Sequence, residues 1–150
     1  MERVKLLLIF IFISCLLCYA QDDGTTMVPI IEKTSSLVKY IEDEAKQEIV
    51  RIEMDILANT KTTYRSLQQG YTYQIIAYGD FRFKDIDVSV YRWNGSEWII
   101  MSKDVDNSDM AMVTITPSQT SDYRIDITAY KFKDGYTAGH YGVIVCHEKQ

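Results

Sequence analysis

The residues best suited to chemistry in this 150-residue sequence are aspartates in and around one predicted strand. Asp85 and Asp87 lie two apart in that strand, so both side chains leave the same face. Asp80 lies in the loop before the strand, and Asp104 and Asp106 lie in a loop two strands later. Calcium takes roughly six to eight oxygen ligands, which loop carboxylates and backbone carbonyls can supply. These aspartates are therefore the candidate metal site, with calcium as the candidate cofactor, and the competing role is that of solvated turn residues that cap local N–H groups.

Catalytic arrangements of other kinds are poorly supported. Cys146 and His147 are adjacent, so their side chains point to opposite faces of a strand, and His140 lies about 20 Å from Cys146 along a strand. One cysteine and two histidines so spaced match no zinc template. We therefore expect no enzyme activity, with a small hydrolase built on paired acids as the enzymatic alternative. Cys146 lies in an apolar run and is expected to be buried.

Period-two hydrophobicity dominates the chain after Thr60 and predicts a β-sandwich domain over residues 60–150. The predicted strands are Thr62–Leu67, Tyr71–Tyr78, Ile86–Trp93, Trp98–Met101, Met110–Ile115, Tyr123–Tyr130 and Tyr141–Cys146. Turn residues separate these strands, and the absence of helical patterns between them favours antiparallel pairing. The predicted fold class is therefore mostly β, an antiparallel β-sandwich.

One α-helix is predicted before the sandwich, over residues 35–58, and a flexible N-terminal segment over residues 21–34 precedes it. The apolar residues that recur at steps of three or four are Leu37, Ile41, Ala45, Ile49, Ile52 and Ile56. This spacing is typical of one helix face, with N-cap candidates at Thr34, Ser35 and Ser36. Because β-branched residues are dense from Ile49 onward, a strand from that point is the alternative.

Asn94-Gly95 predicts a two-residue hairpin turn, because a type I′ turn needs positive φ at both central positions. Such a turn places Arg92 opposite Glu97 and Tyr91 opposite Trp98. More widely, the 11 tyrosines of the chain alternate along several strands. They indicate either half-buried sheet packing or a binding platform on one sheet.

Residues 1–20 have the layout of a secretory signal peptide. Basic residues precede the apolar run Leu6–Leu17, and the small Ala20 precedes a polar stretch. A run of about 12 residues spans roughly 18 Å as a helix, which is short of the ~30 Å hydrocarbon core of a bilayer. A membrane anchor and a lipoprotein modified at Cys15 are the weaker alternatives. We expect cleavage after Ala20 and export to the periplasm or the cell exterior, without stable membrane insertion.

The net charge of the sequence limits the classes of partner that it can bind. The formal net charge is −5, and no cluster of lysine and arginine stands out in the predicted domain. The electrostatics therefore argue against nucleic acid and anionic membrane surfaces as partners.

The order of strands and turns over residues 62–147 carries a family resemblance. The stretches that carry it are Leu67–Asp80, Asp85–Tyr91, Lys103-Asp104, Val113–Pro117, Tyr123–Ile127 and Tyr141–Val145. In this order they resemble the bacterial pre-peptidase C-terminal domain, a jelly-roll-like β-sandwich related to collagenase collagen-binding modules. The resemblance implies a non-catalytic module that accompanies secreted enzymes, and some relatives bind calcium.

These observations together predict a secreted or periplasmic binding module without enzyme activity. The expected ligand is a protein or glycan outside the cytoplasm, and a structural calcium is the candidate cofactor. The alternative is a structural or assembly component of the cell envelope that contacts partners through the N-terminal helix. A homo-oligomer formed through the same helix is part of that alternative.

Overall fold

The computed structural model describes residues 26–148 as one helix followed by eight strands. Helix α1 spans Val28–Lys39 and continues into one π-helical turn, Tyr40–Glu44. The strands are β1 (Gln47–Leu57), β2 (Thr60–Leu67), β3 (Tyr73–Gly79), β4 (Phe83–Trp93), β5 (Trp98–Asp104), β6 (Met110–Ile115), β7 (Ser121–Phe132) and β8 (Gly139–Glu148). No helix in this part of the chain is long and apolar enough to span a membrane.

The strands form two four-stranded antiparallel sheets packed face to face. The first sheet has the order β1-β8-β3-β6, and the second has the order β2-β7-β4-β5. Most connections cross from one sheet to the other, as in an eight-stranded jelly roll. This confirms the predicted fold class, an antiparallel, jelly-roll-like β-sandwich preceded by one N-terminal α-helix. All the strands predicted after Thr60 are present, most of them longer than predicted.

The main core lies between the sheets and is built from alternate residues of the strands. On β4, Ile86, Val88 and Val90 are buried there, and the residues between them face outward. On β7, Ile125 and Ile127 are buried in the same way. Because successive side chains of a strand point to opposite faces, this alternation also fixes which residues of β4 and β7 form the outer face of the second sheet.

Helix α1 covers part of the outer face of the first sheet. Ile30 and Ile41 are buried there against Ile76, Tyr78 and Ile144, which point away from the main core. The apolar side of the helix is thus used within the chain. Burial of large apolar side chains of this kind contributes about 1.5–3 kcal/mol for each one.

A buried hydroxyl pair ties the helix to the sheet. The Thr34 hydroxyl donates to the carbonyl oxygen of Ile30 at 2.7 Å, and the Tyr78 hydroxyl lies 2.8 Å from the Thr34 oxygen. Gly142 leaves the room for the Tyr78 ring, because a Cβ at Gly142 would lie 2.4 Å from Cζ of that ring. The glycine on β8 is therefore a packing requirement of the helix–sheet contact.

The predicted helix over residues 35–58 is wrong in its bounds, because Gln47–Leu57 forms strand β1. Ile52, Met54 and Ile56 alternate with charged residues, and Glu53 faces β2, where it accepts from Arg65 Nη2 at 3.1 Å. The alternation places the apolar residues on the outer side of the first sheet and the charged ones on the side that faces strand β2 of the second sheet. Pairing with β8 outweighs the helical spacing, and the strand alternative from Ile49 is confirmed.

The start of the helix also differs from the prediction. The helix begins at Val28 with Pro29 in its first turn, so part of the segment predicted to be flexible, residues 21–34, is helical. Thr34 and Ser36, predicted as N-caps, lie inside the helix and donate to carbonyl oxygens four residues earlier. Residues 1–25, with the predicted signal peptide, lie outside the described residues.

The hairpin between β4 and β5 has a longer turn than predicted. The predicted pairs were Arg92 with Glu97 and Tyr91 with Trp98, and both are wrong by two residues. The Asn94 side-chain oxygen accepts from the N–H groups of Ser96 and Glu97 at 2.8 and 2.9 Å, which stabilises a four-residue turn. Trp93 and Trp98 consequently face each other, with ring centroids 5.5 Å apart.

Candidate functional site

Asp80, the first predicted metal ligand, lies in a buried polar network. Its side chain is fully buried beside Arg82, whose side chain is 7% exposed. Asp80 Oδ2 accepts from Arg82 Nη2 at 2.6 Å and from the backbone N–H of His140 at 2.9 Å. Asp80 Oδ1 accepts from the backbone N–H of Arg82 at 3.0 Å. Both carboxylate oxygens of Asp80 are therefore held by donors of the chain itself.

His140 completes this network through Nδ1 of its ring. Arg82 Nη2 lies 2.8 Å from His140 Nδ1, and because a guanidinium only donates, Nδ1 is the acceptor. His140 thus supports the Asp80–Arg82 ion pair and is not paired with Cys146.

Asp104 is the last residue of β5, and Asp106 lies in the turn that follows it. Asp104 Oδ1 accepts from the N–H of Asp106 at 3.0 Å, and Asp104 Oδ2 accepts from the N–H of Met112 at 2.8 Å. Asp106 itself is exposed. Asp104 caps the turn and ties it to β6, which is the alternative role predicted for such residues.

Asp85 and Asp87 line one open cavity of about 470 Å³ at the start of β4, as their spacing predicts. Asp85 is 5% exposed, and each of the two residues has a buried Oδ1 without a hydrogen-bond partner. Burial, together with the nearby carboxylates of Asp85 and Asp104, raises the pKa of Asp87 above its usual 3.8. Negative charge in this cavity is therefore poorly compensated.

The five predicted metal ligands do not form one cluster in the structure. They divide between the buried network, the end of β5 with the turn after it, and the cavity, and of the five only Asp85 and Asp87 line the same cavity. Within residues 26–148, no three His, Cys, Asp or Glu side chains are grouped so that they could hold a metal ion. Calcium stays a prediction, with Asp85 and Asp87 as the residues left to bind it.

Cys146 is buried, as predicted, beneath α1. Its Sγ donates to Gln47 Oε1 at 3.1 Å, and burial raises the pKa of the thiol to about 11. A thiol with that pKa is protonated at neutral pH, so it lacks the thiolate that nucleophilic catalysis requires.

An aromatic cluster occupies the outer face of the second sheet at the end away from the cavity. We define the aromatic patch by its members, Tyr64, Tyr91, Trp93, Trp98 and Arg124. Trp98 lies between Trp93 and Tyr64, with ring centroids 5.5 and 5.6 Å away. Trp93 is 43% exposed and Tyr64 is 56% exposed, so large aromatic surfaces face the solvent.

Arg124 organises this patch from the neighbouring strand β7. Its guanidinium carbon lies 4.1 Å from the centroid of the Tyr91 ring and 5.5 Å from that of Trp98. Asp126 holds the Nη2 of Arg124 at 3.1 Å, whereas the buried Nε has no hydrogen-bond partner. Cation–π contacts of this kind fix the rings and keep the arginine on the sheet surface.

The cavity and the aromatic patch share one surface, which we call the candidate binding face. Asp87 and Tyr91 are both outward-facing residues of β4. They are four residues apart, about 13 Å along a strand. A single ligand of modest length can therefore contact both sites.

Sequence reasoning found only part of this face. The tyrosine pattern suggested a platform, whereas the predicted pairing of Tyr91 with Trp98 is wrong by two residues. Arg124 was missed, because its contact with Tyr91 depends on the pairing of β4 with β7. The sequence signal for the aromatic patch was the spacing of Tyr91 and Trp93, which are two residues apart before the hairpin turn and so lie on the same face of the strand.

Comparisons with known proteins identify the fold. No family model matches the sequence, and a search of curated proteins finds no match. The pre-peptidase C-terminal domain of a Bacillus anthracis collagenase superposes with a TM-score of 0.50 and 10% sequence identity, over 63% of this chain and 87% of that one. The sandwich resembles a pre-peptidase C-terminal domain. This confirms the resemblance inferred from the sequence.

A second solved structure is similar to the same degree. The Yersinia pseudotuberculosis-derived mitogen has a TM-score of 0.51 and 9% identity, over 69% of this chain and 88% of that one. At such low identity the likeness shows the fold alone.

Proposed function

We propose that this protein is a non-enzymatic binding module that is exported and binds a protein partner through the aromatic patch. The observation that carries this proposal is the exposed cluster of tryptophan, tyrosine and arginine on the outer face of the second sheet. In the described part of the chain, α1 lies on the first sheet, and the patch is left open to solvent.

The composition of the patch matches that of protein interfaces. Tryptophan, tyrosine and arginine are the residues in which binding energy concentrates, because they bury large areas and also offer polar contacts. The rings are already held by Arg124 and by one another. Little side-chain entropy is then lost on binding, which favours affinity.

A glycan is the alternative ligand, since sugar rings also stack on exposed aromatic residues. The cavity on the same face favours a protein, because Asp85 and Asp87 offer poorly compensated negative charge. A neutral or acidic glycan supplies no positive charge to meet it, whereas a polypeptide with basic side chains does. Export is supported by the predicted signal peptide over residues 1–20.

The ligand class can be tested with arrays. The exported full chain is applied to a panel of purified extracellular proteins and to a glycan array, beside the Trp98→Ala variant. Tyr136→Ala, which removes an exposed ring outside the patch, is the control. We expect protein binding that Trp98→Ala weakens and Tyr136→Ala retains. Binding only to glycans, or binding that is indifferent to Trp98, would contradict the proposal.

A second candidate is assembly of the cell envelope through the helix side of the molecule, with a second copy of this chain as the partner. Val28 and Ile31 on α1, and Ile52 and Ile56 on β1, are each more than 40% exposed. Strand β1 is also an edge of the first sheet, where backbone groups can pair with another strand. Sedimentation tests this candidate: dimers that Ile56→Lys dissociates would support it, and a monomer at all concentrations would exclude it.

A further inference from the structure

We propose that the cavity lined by Asp85 and Asp87 binds a basic side chain, arginine being the best fit, of the protein partner inferred above. This inference rests on the proposed function and assigns the chemistry of the ligand. Its consequence is that the partner presents an arginine about four residues, in extended conformation, from the group that contacts the aromatic patch, because about 13 Å separates Asp87 from Tyr91.

The need for a cation follows from the two carboxylates. Asp85 is buried to more than nine-tenths, and it and Asp87 each have an oxygen with neither solvent nor a hydrogen-bond partner. A buried carboxylate with an unpartnered oxygen is costly, and a cation held on the cavity side of the carboxylate offsets its negative charge. The two residues share one cavity wall, so one ligand group can serve both.

Lys131 is the nearest internal source of positive charge. It lies opposite Asp85 in the pairing of β4 with β7, and it lines the same cavity. Within residues 26–148 it makes no ion pair with Asp85 or Asp87. Lys131 is exposed, so its side chain has room to turn away from the cavity, and it competes with an incoming cation for the two carboxylates.

The dimensions and walls of the cavity favour a guanidinium over a metal ion. The volume, about 470 Å³, exceeds what a bare ion fills, and the described residues offer no third acidic or histidine ligand in a metal-binding group. Val105 and the exposed Tyr130 add an apolar and an aromatic wall. A guanidinium presents several donors in one plane and stacks on aromatic rings, so it can bridge two carboxylates while lying against Tyr130.

The test is a titration of the exported full chain, ¹⁵N-labelled, with N-acetylarginine amide, followed at the backbone amides of Asn107 and Tyr130. N-acetylcitrulline amide has nearly the same shape without the charge, and we expect it to bind at least about tenfold more weakly, which corresponds to the loss of one charge-assisted contact. Asp87→Asn should weaken binding of the arginine probe by a similar factor. Asp106→Asn, an exposed aspartate outside the cavity, should leave binding unchanged.

A second variant keeps the test valid if Asp87→Asn alters the fold. Lys131→Met removes the competing charge and should tighten binding of the arginine probe. Equal binding of the citrulline and arginine probes, or binding indifferent to both substitutions, would overturn the inference. Displacement of the arginine probe by an equal concentration of calcium chloride would overturn it in favour of a metal site.

The two proposals fail separately. Trp98 lies in the aromatic patch and not in the cavity, so Trp98→Ala should not change binding of the arginine probe. If that probe binds through Asp87 but the array shows no dependence on Trp98, the aromatic patch is excluded and the cavity remains. If the array depends on Trp98 but the probe does not bind, the cavity alone is excluded.

Discussion

Replacement of Asp80 by asparagine is expected to be among the most damaging single-atom changes in this protein. Asp80 Oδ2 accepts from Arg82 Nη2 and Nε and from the N–H of His140, and Oδ1 accepts from the N–H and Nε of Arg82. Either orientation of the asparagine amide therefore turns an NH₂ group toward at least two donors. The change also leaves the Arg82 guanidinium, 7% exposed, without its carboxylate.

The expected loss of stability follows from that geometry. Removing one partner of a buried, hydrogen-bonded ion pair typically costs about 3–5 kcal/mol, because the remaining charge stays buried. The matched control is Asp55→Asn, which breaks an ion pair of 3.1 Å with Lys61 in which both side chains are at least half exposed. Exposed pairs contribute about 0–1 kcal/mol.

The assay is equilibrium unfolding in urea at pH 7 of the wild type and both variants. We expect Asp80→Asn to lower the unfolding midpoint severely with an unchanged slope, and Asp55→Asn to shift it little. Equal losses for the two variants would refute the structural role of Asp80. A wild type that calcium stabilises, together with an Asp80→Asn variant that calcium does not, would instead restore Asp80 as a metal ligand.

Three further predictions concern other groups. Gly142→Ala should lower the free energy of unfolding, measured in urea, by about 1–3 kcal/mol, because the new Cβ collides with the Tyr78 ring. At Gly70 a new Cβ meets no atom within 4 Å, so Gly70→Ala is the control that tests backbone strain alone. Asp87→Asn should raise the thermal midpoint at pH 7 and lose that advantage below pH 3.8, where the carboxyl is protonated in both states. Cys146, whose pKa burial raises to about 11, should react with a thiol reagent at pH 8 only on unfolding.

The sign of the Asp87 prediction follows from its raised pKa. Between 3.8 and that raised value, folded Asp87 keeps a proton that the unfolded chain has released. The free energy of unfolding of the wild type therefore falls as the pH rises through this window. In Asp87→Asn, residue 87 does not titrate, so this loss does not occur. A lower midpoint for Asp87→Asn at pH 7 would contradict it. Reaction of Cys146 with the thiol reagent in the folded protein would contradict the Cys146 prediction. An unchanged free energy of unfolding in Gly142→Ala would contradict the Gly142 prediction.

The strands after Thr60 could be predicted because turn residues bound each one and apolar residues alternate within it. The end of the helix could not be fixed, because Ile49, Ile52 and Ile56 fit both a helix face and a strand interrupted by a bulge. The strict alternation of apolar and charged residues from Val50 to Ile56 was the sequence signal for β1.

The site was less predictable because it depends on long-range pairing. The spacing of Asp85 and Asp87 was enough to place both on one cavity wall. Nothing near Asp80 in the sequence shows that His140, sixty residues away, donates to it. In the same way, the position of Arg124 over Tyr91 follows from the register of β7 on β4, which the local sequence does not specify.

The central claim is that the outer face of the second sheet binds a partner, and paired affinities test it most directly. Tyr64 in the aromatic patch and Tyr40 on the helix side are both 56% exposed, so their alanine variants remove equal exposed fractions. For a partner found on the protein array, we predict that Tyr64→Ala weakens binding about tenfold or more, as at an interface hot spot, and that Tyr40→Ala leaves it unchanged. Loss of affinity in Tyr40→Ala alone would contradict the claim and place the contact on the helix side.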